Sequence, residues 1–99
     1  MVVGILHLEL ALPASHSLKG KRAALRPLIA ALTREFSASV AEVADQDAWQ
    51  RAVLGVCIAS SDRRHADRVL QAVLRRAEEW SGEAVLQSTS MELINVAPG

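Results

Sequence analysis

Early in the chain the spacing of apolar residues changes from every second position to every third or fourth, and few folds accommodate that switch. Val2, Leu6, Leu8, Leu10 and Leu12 share one parity, with Gly4 among them, while His7 and Glu9 fall on the other. Period two predicts a half-buried strand over Val2 to Leu12 that ends at Pro13. From Leu18 the pattern becomes helical, through Leu25, Leu28, Ile29, Leu32 and Phe36, with Ser17 placed to cap the first turn. Pro27 interrupts this stretch. Its ring removes an amide donor and crowds the carbonyl of Ala23, which predicts a kink or break near Arg26.

Ser39 to Ala44 and the β-branched run AVLGVCIAS, Ala52 to Ser60, read as two strands joined by the polar connection ADQDAWQ. In that connection Asp45 and Asp47 suit a turn, where aspartate side chains bond to nearby backbone groups. A second helix follows. Ser61 or Asp62 can cap it, and Ala66, Val69, Leu70, Val73, Leu74 and Ala77 form its apolar stripe. Gly82 offers a terminator, and Ala84 to Val96 reads as a last strand frayed by Pro98. The order β-α-β-β-α-β predicts a ferredoxin-like α+β sandwich: a four-stranded antiparallel sheet with two helices on one face. At 99 residues the expectation is a single domain over residues 1–99.

Charge and composition exclude several classes of function. Eleven basic and eleven acidic residues cancel, so no global field draws the protein to nucleic acid or membrane. The distribution is uneven, however: Lys19, Lys21, Arg22, Arg26 and Arg34 face only Glu35 between residues 15 and 40. No apolar run approaches the roughly 20 residues that span a bilayer. The N-terminal stretch lacks a basic leader and carries His7 and Glu9, so no signal peptide is read there and the expected location is cytoplasmic. The single cysteine, Cys57, cannot form an internal disulfide and is expected to pack as a small hydrophobe.

Two surfaces emerge as candidates. Lys19, Arg22 and Arg26 are spaced by three and four on the first helix, with Lys21 on a neighbouring line; an ordinary solvated face explains them, and so does contact with RNA phosphates. The second is the open face of the sheet. Counting back from strand three places Trp49 on the same face as Arg51, Val53, Gly55 and Cys57, to which strand one adds Val3, Ile5, His7 and Glu9. Val3, Ile5, Trp49 and Val53 are thus candidate interface residues for a homo-oligomer, although Trp49 can equally shield the hairpin end. Neither central strand carries an aromatic, so bases cannot stack on the sheet as they do in an RNA recognition motif. His7, Glu9 and Cys57 make too thin a set for a metal or acid–base site, and no phosphate loop or nucleophile motif is present. The reading therefore contains no catalytic residue, metal or cofactor.

The stretches SLKGKR (Ser17 to Arg22) and SVAEVADQDAWQRAVLGV (Ser39 to Val56), with the SSD after strand three, resemble the YlxP-like family of bacterial proteins of unknown function. Gly20 departs from that pattern, where a polar or acidic residue is usual. The resemblance implies the ferredoxin-like fold and no established activity. Genes of the family often neighbour genes for translation initiation and ribosome maturation, which implies a role there by association. The expected function is a non-enzymatic accessory binding module in RNA or ribosome metabolism, partnered by RNA or a ribosomal particle and probing neither DNA sequence nor membrane. A homo-oligomeric ligand-sensing or structural domain is the alternative.

Overall fold

Alternation over the first residues becomes β1 (Val2–Ala11), whose even-numbered side chains Leu6, Leu8 and Leu10 are buried. The computed structural model describes residues 1–97. After β1 come α1 (Leu18–Phe36), β2 (Ser39–Ala44), β3 (Arg51–Ser60), α2 (Arg63–Glu78) and β4 (Val85–Asn95). The four strands form one antiparallel sheet in the order β2-β3-β1-β4, with both helices on one face: the ferredoxin-like α+β arrangement. Among the described residues no helix is long and apolar enough to cross a membrane.

The core lies between sheet and helices. Leu6, Leu8 and Leu10 of β1 and Ala52, Leu54 and Val56 of β3 meet Leu25, Leu28 and Leu32 of α1 and Leu70, Val73 and Ala77 of α2. At Gly4 a side chain would have no room, because a Cβ there would lie 2.9 Å from Leu70 Cδ1 and 3.0 Å from Ile58 Cγ1. The missing side chain lets α2 settle onto β1.

Several local expectations are corrected. Helix α1 runs unbroken through Pro27, which is exposed. The proline ring therefore faces water and not the sheet, and a lost helical hydrogen bond is cheapest where solvent can replace it. Helix α2 is capped by Asp62, whose carboxylate accepts from the Arg64 amide at 3.0 Å, and not by Ser61. Gly82 does not terminate α2, since the helix stops at Glu78 and no glycine has positive φ. Its role is steric: a Cβ at Gly82 would lie 2.6 Å from Trp80 Nε1, so the indole folds back over the glycine. Pro98, expected to fray the last strand, lies outside the described residues. Cys57 is exposed on the open face opposite Ile5 and does not pack in the core.

Ser17 caps α1 as expected, accepting from the Gly20 amide at 2.9 Å. Removing that acceptor leaves an orphan amide in the first turn. Ser17→Ala is expected to lower stability by about 1 kcal/mol. Urea unfolding would show this as a lower midpoint with unchanged slope; an unmoved midpoint would mean the cap contributes nothing.

Candidate nucleic-acid interface

Three of the four cations at the start of α1 share an exposed stripe, and the fourth is elsewhere. Lys19, Arg22 and Arg26 face solvent. No ion pair among the described residues engages any of the three. Arg22 and Arg26 flank a largely apolar cleft between α1 and β2, floored by Leu25 and Ile29 and closed by Glu42. The first turn of α1 contains no acidic residue, so no carboxylate there offsets this local positive charge.

Lys21, expected among the RNA-contacting cations, is not on this surface. It is 1% exposed, and its ammonium lies 2.7 Å from Glu42 Oε2 while donating to the carbonyls of Asp45 at 2.9 Å, Arg51 at 3.2 Å and Gln46 at 3.3 Å. A buried ammonium needs such partners to offset the loss of water. With them, Lys21 ties the first turn of α1 to the β2–β3 connection and has no donor left for RNA. The sequence held the signal. Positions 18, 21, 25, 28 and 32 follow one helical line, and Lys21 is the only charged residue on it.

A second tie joins the same end of the molecule to the β1–α1 connection. Gln50 Nε2 donates to the carbonyls of Pro13 and Ser15, both at 3.2 Å, and the Leu12 amide donates to Gln50 O at 2.9 Å. Asp45 has φ 57°, a left-handed conformation that aspartate tolerates, and its carbonyl accepts from Ala48 at 3.0 Å. Its carboxylate also approaches Arg51, at 3.6 Å. The loop is therefore built from internal bonds.

Trp49 does not lie on the sheet. Strand β3 begins at Arg51, so the parity that holds from Arg51 to Cys57 stops short of the tryptophan. Trp49 is 54% exposed and lines a shallow depression with His16, Asp47 and Gln50, beside the start of α1. The other candidate interface residues do share the open face. Val3, Ile5 and Val53 are half-buried there, and Val43, displaced by a bulge between Glu42 and Ala44, covers Gly55. His7 and Glu9 also occupy this face, offset from Cys57 by the register, and Ser88 Oγ donates to Glu9 at 2.5 Å. Among the described residues no three His, Cys, Asp or Glu side chains converge as metal ligands.

The fold is thus that of a small ferredoxin-like protein with an exposed cationic stripe at the start of α1, and sequence comparison supplies its family. Residues 3–91 match the family described as "Protein of unknown function (DUF503)". The "Uncharacterized protein YlxP" of Bacillus subtilis (strain 168) is 34% identical over 73 residues, 74% of this chain and 79% of that protein. The chain belongs to this YlxP-like family of unknown function.

Proposed function

We propose that the protein is a cytoplasmic, non-enzymatic accessory module of RNA or ribosome metabolism, holding an RNA backbone against the exposed face of α1. The observation that carries this reading is the stripe of Lys19, Arg22 and Arg26, exposed and outside every ion pair among the described residues. Cations left unmatched on one face are the means by which a protein of zero net charge can still attract phosphate. Lys21 and Gln50 hold the adjacent loops in place, so little ordering is needed on binding.

Fluorescence anisotropy with a labelled RNA at increasing salt tests the reading. Three phosphate contacts would give log K a dependence on log salt that falls by about 2 units when Lys19, Arg22 and Arg26 are all replaced by alanine. Sucrose-gradient sedimentation of a native lysate addresses the ribosome. Co-migration with ribosomal particles that is lost in the triple variant supports the role, whereas both proteins remaining at the top of the gradient would sink it.

The open sheet face favours self-association as a second reading. Val43, 49% exposed, lies on the same face as the half-buried Val3, Ile5 and Val53. A homo-oligomer formed through this face would dissociate in Ile5→Lys by light scattering. A wild-type protein already monomeric at high concentration would end that reading.

A further inference from the structure

Trp49 supplies none of the bonds that order its loop. Its neighbours in the β2–β3 connection do: Glu42 is matched to Lys21, Asp45 and Gln46 supply carbonyls to the same ammonium, and Gln50 pins the β1–α1 connection. The indole takes part in none of these bonds. It forms no hydrogen bond among the described residues and is 54% exposed, whereas the other tryptophan, Trp80, packs against the core. Trp49 is thus an exposed aromatic plane on a loop fixed from two sides, next to the cationic end of α1.

We propose that Trp49 is a stacking platform for an unpaired nucleobase, so that the RNA taken by this protein is single-stranded. The inference rests on the RNA reading given above and deepens it. An indole face accepts any base by stacking, and single-strand binders combine such a face with a cationic track for the phosphates. Here the track is Lys19, Arg22 and Arg26, about 10 Å of helix from first to last. His16 and Asp47 line the depression beside the indole. The Asp47 carboxylate repels phosphate, so the backbone runs on the His16 and α1 side while the base lies over Trp49 and turns its polar edge to these two residues. A protein partner would fit less well. Its apolar anchor would meet one aromatic ring and an otherwise polar lining of His16, Asp47 and Gln50. Duplex RNA keeps its bases stacked on one another and offers the indole nothing.

The test is anisotropy titration of a labelled single-stranded RNA of mixed sequence and of the same RNA as a duplex. It uses the whole chain as wild type, Trp49→Ala, Trp49→Phe and the Lys19, Arg22, Arg26 triple alanine variant, with circular dichroism confirming the fold of each. Trp49→Ala is expected to weaken single-strand binding about 5- to 150-fold, the usual effect of removing a base-stacking aromatic. Trp49→Phe should retain most of the affinity, and duplex binding should not change. Wild-type single-strand affinity in Trp49→Ala, with binding lost in the triple variant, would overturn the stacking proposal and leave the RNA reading standing; this is also the outcome if the indole serves a protein. Equal losses for single strand and duplex would overturn it too. Failure of the wild-type protein to bind either form would remove the RNA reading itself and the proposal with it.

Discussion

Replacing Lys21 by methionine should destabilise the protein by about 3–5 kcal/mol, the cost of removing one partner of a buried ion pair. Methionine keeps much of the aliphatic volume, so the loss comes from the charge and its donors. Glu42, only 18% exposed, would be left without its cation, and three carbonyls of the β2–β3 connection would lose their shared donor. The double variant Lys21→Met, Glu42→Leu should recover part of the stability by removing the stranded carboxylate, but not all of it, because the carbonyls remain unpaired. Lys19→Ala, two residues away and exposed, serves as the control and should move stability by no more than about 0.5 kcal/mol. Urea midpoints for the four proteins decide the matter. A Lys21→Met midpoint equal to wild type would mean that the pair's desolvation cost cancels its attraction.

The contact between Gly4 and Leu70 should behave as a coupled pair. Leu70 is fully buried, and Leu70→Ala is expected to cost about 2–5 kcal/mol through lost burial and the cavity left behind. Gly4→Ala acts in the opposite direction, forcing a methyl to within 2.9 Å of Leu70 Cδ1, and should cost about 1–3 kcal/mol by overpacking. The new methyl would occupy space that the truncated leucine vacates. The double variant should therefore be markedly more stable than the sum of the single losses implies, with a coupling of about 1 kcal/mol or more. Simple additivity would show that α2 shifts to absorb each change separately.

Much of the fold was readable because its periods are clean. The leucines of β1, the stripe of α2 and the β-branched run of β3 each place one set of residues on the core face, and the structure buries most of each set, with Ile58, Val69 and Leu74 half-buried against the core. The loops were less legible, since their order depends on bonds between segments distant in sequence. Gln50 reaches back 37 and 35 residues to Pro13 and Ser15, which no local pattern encodes. Parity misplaces Trp49 because alternation holds only from the first paired residue of β3, Arg51, and not in the connection before it. Lys21 and Glu42 are a different case. Lys21 lies on the apolar line of α1, and Glu42 pairs with the buried Leu54, on the core side of β2. Lys21 is out of place on its apolar line, but only the strand register shows that Glu42 waits on the same side to receive it. Pro27 was misjudged because its effect depends on which side of the helix it occupies, and Pro27 and Arg26 both point to solvent.

The sheet order also bears on how the chain is made. β1 occupies a central position, with Val2 opposite Ser60 on one side and Asn95 on the other. A ribosome delivers this strand before both of its neighbours, so its two edges cannot be satisfied until β3 and then β4 have emerged. Before β3 emerges α1 can form from local bonds while the leucine-rich strand is open along both edges, and once the β2–β3 hairpin has docked the edge that faces β4 is still open. The most buried strand of the finished protein is therefore the segment most exposed to misassociation during synthesis, and its closing step waits for the last strand to be translated.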